Sequence, residues 1–390
     1  MEKKEKITLS LLLMNLFIAF LGIGLVIPVL PTLMNELNIS GKVVGYLTAA
    51  FALTQLIVSP FAGKAVDRFG RKIMIVLGLF VFGFSEFLFG IGETIEVLFI
   101  SRILGGVSAA FIMPAVTAFI VDITTIETRP KALGYMSAAI STGFIIGPGI
   151  GGFLADVGIR VPFYTAGVMG VLAAILSIVL LSEPERQEEE LTESETTGKS
   201  SLGKILMPKF LIAFIVIFVA SFGLAAFESF FSLFVDHKFA FTPTDIAIAI
   251  TGGAILGAIF QVALFDPLMK ALGEINLIRL SLIFSAVLVL ALTFVNSYWM
   301  IMAVTFTVFI GFDLIRPAVT TYLSRIAGNE QGFVGGMNSF FTSLANVFGP
   351  IIGGIMFDID INYPFYFGTV VIIAGLAVAM LWKNPKVKSE

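Results

Sequence analysis

Apolar residues fall in long blocks separated by short polar punctuation. Blocks of crossing length run at about 8–31, 43–62, 73–92, 96–122, 133–155 and 161–182, and after a polar stretch at 208–235, 244–265, 275–296, 298–323, 332–357 and 362–382. Roughly 20 apolar residues of helix cross the ~30 Å hydrocarbon core of a bilayer. Lipid offers no partner to an open backbone group, so each block has to be helical. The pattern predicts an all-α integral membrane protein with twelve spans, arranged as two sets of six.

The first block follows Glu2-Lys3-Lys4-Glu5-Lys6 and so imitates a secretory signal. The apolar part of a signal is only about 7–15 residues long and ends at a small-residue cleavage site. The run from Ile7 to Pro31 is longer, and is expected to stay as the first span.

Charge placement orients the spans. With the N-terminus inside, nineteen of the 24 Lys and Arg fall in inside segments, whereas only Lys42, Arg160 and Lys238 fall in outside loops and Arg102 and Arg316 lie within spans. An excess of Lys and Arg marks the cytoplasmic side. Both termini are therefore expected in the cytoplasm of a cell (plasma) membrane protein, which an even number of spans permits.

Composition narrows the function. The 390 residues are 57% hydrophobic and 13% charged, against roughly a quarter charged in an ordinary soluble domain. A formal charge of −3 with no basic face argues against nucleic acid as a partner. With no cysteine and one histidine, His237, thiol chemistry and Cys/His metal sites are excluded, and no metal is expected. His237 stands beside Asp236 and Lys238 in an expected outer loop, which favours a solvated side chain over a proton relay.

Residues 183–206 are rich in Glu, Ser and Thr and show no apolar helical face, so they read as a cytoplasmic acidic linker between a six-helix bundle at 1–182 and another at 207–390. Gly198-Lys199-Ser200 hints at a phosphate-binding loop, but that motif needs glycine where Glu193 stands and a preceding strand. No nucleotide partner is expected, and ATP is not the energy source.

The two sets of spans are copies. Pro114-Ala115-Val116-Thr117 recurs as Pro317-Ala318-Val319-Thr320, at an offset of 203. Gly147-Pro148 with Gly151-Gly152 recurs as Gly349-Pro350 with Gly353-Gly354, Asp156 as Asp358, and Pro162-Phe163-Tyr164 as Pro364-Phe365-Tyr366, all at 202. Six spans per copy start both copies on the same side. That is the parallel pseudo-twofold plan of transporters whose substrate site lies near the midplane between the halves.

Charges inside apolar helices carry the candidate chemistry: Glu86, Arg102, Glu228 and Asp313, with Arg316 one turn beyond. Each costs about 2.5–3.5 kcal/mol at the centre of a span on insertion scales, so each should line a cavity or find a partner. A carboxylate drawn out of water holds its proton more readily. It can also attract a cation, so proton and cationic substrate would compete for one charge. Glu228 and Asp313 are the expected proton carriers. The competing readings are an i,i+3 pair with Arg316 for Asp313, and a residue near the outer helix end reaching water for Glu228. Glu86 reads as a structural partner of a neighbouring helix.

Three motifs tie the chain to a family. The loop after the second span, Gly63-Lys64-Ala65-Val66-Asp67-Arg68-Phe69-Gly70-Arg71-Lys72, matches the major facilitator signature of Gly, three residues and Asp-Arg-x-Gly-Arg-Lys. Its glycines permit a tight turn, and a carboxylate among cations can latch onto a helix terminus; the alternative is mere topology charge. In the second half, Asp266 and Gly273 remain but the arginines do not, which predicts a weaker latch. Span five carries Gly143, Gly147, Pro148, Gly151 and Gly152, similar to the antiporter signature of drug–proton exchangers. Small residues at these intervals let helices approach, with Gly252, Gly253 and Gly257 as the expected partner face, although such packing is also common in membranes. Together with Gly22-Ile23-Gly24 and Ile27-Pro28 in span one, Arg102 before Gly105-Gly106, Phe227-Glu228-Ser229 and Phe312-Asp313, the chain resembles the Bmr/NorA group of multidrug efflux pumps over nearly all spans.

The resemblance implies a proton-coupled antiporter, not an enzyme, that needs no cofactor beyond the coupling proton and works as a monomer in the bilayer. It would export small amphipathic, often cationic drugs such as fluoroquinolones and dyes. It assigns proton coupling to Glu228 and Asp313, and points to Phe20, Ile23, Gln55, Arg102, Phe144, Phe312 and Asn346, with the two acids, as cavity residues. The rival reading is a secondary transporter of the same fold specific for one metabolite or nutrient.

Overall fold

The structure, a computed structural model, describes residues 3–125, 127–184, 207–327 and 331–382. The expected linker, from 185 to 206 and including Gly198-Lys199-Ser200, lies outside the described residues, while its first acid, Glu183, lies within them. No strand occurs among the described residues. In chain order the helices are α1 (Lys3–Val26), a 3-10 turn (Ile27–Val29), α2 (Leu30–Glu36), α3 (Gly41–Phe69), α4 (Arg71–Ile91), α5 (Ile95–Asp122), α6 (Arg129–Ala155) and α7 (Val161–Leu180). They continue with α8 (Pro208–Phe239), α9 (Pro243–Phe294), α10 (Tyr298–Ala327), α11 (Gln331–Ile359) and α12 (Tyr363–Met380).

Eleven of these segments are long and apolar enough to cross a membrane, α1 and α2 together forming one. One of the eleven, α9, has 52 residues. At 1.5 Å per residue it would extend about 78 Å, more than twice the hydrocarbon core. It is two spans. Gly273, at φ 73° and ψ 166°, breaks the helical backbone between them, a conformation that glycine adopts without strain. Twelve spans result, as the apolar pattern predicts. The first is bent where Pro28 and Pro31 each remove a backbone donor, so that helix gives way to a 3-10 turn and resumes.

One boundary differs from expectation. Helix α8 continues through Asp236, His237 and Lys238 to Phe239, so His237 is in its last turn and not in a loop. Basic side chains there complement the negative end of the helix dipole. His237 Nδ1 stands 3.5 Å from Asp236 Oδ2. The helix closes on Ala240 at φ 54°, whose N–H donates to the Asp236 carbonyl, the bond of an αL ending, while the Phe241 N–H donates to the Val235 carbonyl. Thr242 then caps α9, exchanging hydrogen bonds with Asp245 three residues on.

The chain divides into two compact units, Met1–Thr192 with Val235–Thr251, and Glu193–Phe234 with Gly252–Glu390. The core of the first is aliphatic, built from Leu12 and Leu16 of α1, Leu79 of α4, Val116 and Ile120 of α5 and Ala173 of α7. That of the second is aromatic: Phe214 stacks on Phe341 with centroids 5.4 Å apart, and Phe234 meets Phe365 edge-on at 4.7 Å. Much of the phenylalanine content is therefore spent on packing helices.

Candidate functional site

The loop motif forms a corner between α3 and α4. Gly63, Asp67 and Arg68 lie in the last two turns of α3. Space around Gly63 is open, so the turn depends on Gly70 alone, at φ 103°. Arg71 opens α4 and is anchored three ways: Nε donates to Asp122 Oδ2 at the end of α5 at 2.8 Å, Nη1 donates to the Val66 carbonyl at 3.3 Å, and Nη1 lies 3.4 Å from Asp67 Oδ1. The carboxylate seen to meet the start of α4 is Glu183. It accepts the N–H groups of both Arg71 and Lys72, two donors that the first turn of a helix leaves unpaired. Lys72 Nζ also donates to the Ile178 carbonyl near the end of α7. Four helix ends of the first unit are thus tied together on one side.

The second unit repeats this corner with its charges exchanged. At the offset of 203, Glu274 stands where Arg71 does and Arg325 where Asp122 does, and the two form an ion pair at 2.6 Å. Gly273, with its positive φ, stands where Gly70 does. Arg279 donates to the carbonyls of Ala379, Met380 and Trp382, satisfying the end of α12. This corner is more open, with Arg325 47% exposed against 11% for Arg71. The arginines missing from the motif are replaced by a pair of opposite polarity.

Helix α6 presents its glycines chiefly to α1. A Cβ on Gly143 would meet the backbone of Phe17 and Leu21, one on Gly147 the backbone of Leu21 and Gly24, and one on Gly151 the carbonyl of Leu25. Pro148 packs on Gly24, while Gly149 and Gly152 face Thr251 and Ala247 of α9. Within the second unit, Gly252, Gly253 and Gly257 face Phe306, Phe309 and Asp313 of α10. Gly151→Ala would force a methyl group into the Leu25 carbonyl. Overpacking of this kind costs about 1–3 kcal/mol, and more where backbone must move. The variant is expected to lose most transport activity and to unfold at a lower temperature, whereas Gly63→Ala, which meets open space, should match the parent in both assays.

The charges inside spans sort into two kinds. In the first unit, Glu86 on α4 and Arg102 on α5 pair at 3.2 Å, with 3% and 17% of their side chains exposed. In the second, neither Glu228 nor Asp313 has a hydrogen bond or ion pair among the described residues, and Asp313 does not pair with Arg316. Glu228 is exposed on α8 and Asp313 half-buried on α10. Because α8 extends to Phe239, Glu228 lies about 16 Å from its C-terminal end, comparable to about 22 Å for Asp313 from Tyr298. Phenylalanines adjacent to the acids in sequence pack against one another. Phe227 meets Phe231, Phe309 and Phe312 with centroids 5.2–6.4 Å apart. Gly257 leaves the space that the Asp313 carboxylate occupies.

The other expected cavity residues take varied positions. Phe20 and Phe144 meet across α1 and α6 at 5.1 Å, and Phe20 and Ile23 line a small apolar recess with Phe51, Phe82 and Met113. Gln55 is half-buried where α3 crosses α5 at Gly106, Phe312 is buried, and Asn346 is exposed on α11.

The Major Facilitator Superfamily model matches residues 12–238 and 213–390. The chain belongs to this superfamily. Among its relatives, Multidrug resistance protein 1 of Bacillus subtilis (strain 168) is 69% identical, over 99% of this chain and 98% of that protein. Multidrug resistance protein 2 of the same organism is 53% identical, over 98% and 97%. Quinolone resistance protein NorA of Staphylococcus aureus (strain Mu50 / ATCC 700699) is 48% identical, over 96% of each. Among solved structures, a bacterial homologue of the human lysosomal transporter Spinster superposes with a TM-score of 0.81 at 16% identity, covering 98% of this chain and 96% of that one. The nucleoside transporter NupG gives 0.78 at 12% identity, covering 97% and 98%. These two establish the superfamily fold and nothing about substrate. Membership makes the chain a multi-pass membrane transporter rather than an enzyme.

Two residues of the superfamily corner escaped the sequence reading. Asp122 closes the apolar block at 96–122 and drew no assignment, although it stands at offset 203 from Arg325. Glu183 read as the first acid of the linker, and only its contact with α4 separates it from the acids that follow.

Proposed function

We propose that this protein is a proton-coupled antiporter that exports structurally diverse amphipathic, often cationic drugs from the cytoplasm across the cell membrane, with both termini cytoplasmic. Two six-span halves, 1–182 and 207–390, would be joined by an acidic cytoplasmic linker, and the protein would act as a monomer without nucleotide, nucleic acid or metal. The observation that carries this reading is the pair of intramembrane carboxylates, Glu228 and Asp313, on helices whose Phe227 and Phe312 pack together, with no fixed cation bonded to either acid among the described residues. The names of its multidrug and quinolone resistance relatives agree with it.

Such acids can be neutralised in turn by a proton or by a cationic guest. Rings add dispersion and, for cations, attraction to the π face. A guest arriving from the cytoplasm displaces the proton, and a proton arriving from outside displaces the guest. Phe20, Ile23, Gln55, Phe144, Phe312 and Asn346 are proposed to contribute the remaining contacts, and the loop and glycine motifs to govern conformational change. Cells producing the protein are expected to accumulate less ethidium than cells without it, and a protonophore is expected to erase the difference. Export that survives collapse of the proton gradient would refute the coupling.

A further inference from the structure

The Glu86 and Arg102 pair is built as a single, unsaturated clasp. Among the described residues, only Arg102 Nη2 reaches Glu86 Oε1, at 3.2 Å, and Glu86 Oε2 and Arg102 Nε are buried without hydrogen-bond partners. The guanidinium lies over the Phe89 ring, 4.3 Å from its centroid, and Phe89 is stacked on Phe163. Beside the pair, Ser101 Oγ donates to the Ser85 carbonyl at 2.7 Å, which fixes α5 against α4. The clasp adjoins the apolar recess of the first unit. Gly105, one turn from Arg102, and Phe82, one turn from Glu86, both line it. The recess itself offers a guest almost no polar surface, so the nearest full charges decide what it tolerates.

We propose that Glu86 is a positioning residue that sets substrate charge preference, by holding the Arg102 guanidinium against Phe89 and cancelling its charge beside the recess. This rests on the exporter reading given above. With Glu86 in place, the recess wall is electrically neutral and does not repel a cation. Without it, an uncompensated guanidinium on a flexible stem stands one helical turn from the recess and repels cationic guests while leaving uncharged ones unaffected.

The test compares tetraphenylphosphonium, a permanent cation, with norfloxacin, which carries no net charge at neutral pH, as transported substrates of the purified protein in liposomes. Glu86→Gln is expected to raise KM for the cation about tenfold, equivalent to about 1.4 kcal/mol, with kcat for the cation and KM for norfloxacin within about twofold of the parent. In Glu86→Gln with Arg102→Gln, the ratio of the two KM values should return to that of the parent, even if turnover falls. A merely structural role for Glu86 would depress both substrates together. Leaving one member of a buried pair alone can prevent folding, whereas removing both is milder, so the double variant decides the matter if the single one does not reach the membrane. A double-variant ratio shifted in favour of the cation would mean that Glu86 does not cancel Arg102, and would overturn the proposal. Equal changes for both substrates in Glu86→Gln would overturn it as well. If the parent moves neither substrate, the exporter reading itself fails; if it moves both and the ratios behave otherwise than stated, only this inference fails.

Discussion

Glu228→Gln and Asp313→Asn are each expected to abolish uphill drug extrusion while the protein still reaches the membrane in normal amount. Each amide keeps the shape of the acid but can neither release a proton nor answer a cationic guest with charge. Neither acid has a hydrogen bond or ion pair among the described residues that its loss would strand, so the substitutions should spare the fold. A carrier whose substrate affinity no longer depends on protonation can only equilibrate that substrate, so the accumulation ratio at steady state should fall to about one. The comparison to make is substrate uptake by everted vesicles with an imposed pH gradient, normalised to protein content. Uphill transport retained in both variants would remove these residues from the coupling mechanism.

Asp122→Asn is expected to be the most damaging single change at the corner between α3, α4 and α5. It strips the counter-charge from Arg71, a pair with only 11% and 7% of its side chains exposed. Removing one partner of a buried ion pair costs about 3–5 kcal/mol, because the other charge is left uncompensated away from water. Arg71 also begins α4 and contacts the Val66 carbonyl, so its displacement would loosen the junction of α3, α4 and α5. Unfolding in detergent should shift down by several degrees and transport should fall with it. Exchanging the charges, Arg71→Glu with Asp122→Arg, reproduces the polarity that the second unit uses at Glu274 and Arg325, and should recover much of the loss. An Asp122→Asn protein as heat-resistant as the parent would contradict this account of the corner.

What could be read in advance follows from what the bilayer dictates. Span number was legible because lipid sets a minimum apolar length, and even the 52-residue α9 resolves into two spans once Gly273 is recognised as the counterpart of Gly70. The position of Glu228 and Asp313 within spans was legible, because a charge in an apolar run stands out and is costly wherever it points. Contacts at helix ends were not. Glu183 and Lys72 are 111 residues apart, and nothing in the acidic stretch marks Glu183 as the acid that meets α4. The glycines of α6 announced close packing but not its partner, since small residues occur on α1 and α9 alike; backbone contacts at Leu21, Gly24 and Leu25 identify α1. His237 was misplaced because helix α8 outlasts its apolar run by a full turn, closing only at the left-handed Ala240.

The central claim is that a guest and a proton exchange for the same intramembrane acids. Purified protein in liposomes, with a pH-sensitive dye trapped inside and an outward gradient of tetraphenylphosphonium imposed, tests it without cells or competing pumps. Drug efflux should acidify the lumen at a fixed ratio of protons to drug, and the signal should vanish in the protein carrying both Glu228→Gln and Asp313→Asn. Drug efflux at the parental rate with no change in lumenal pH would contradict the account.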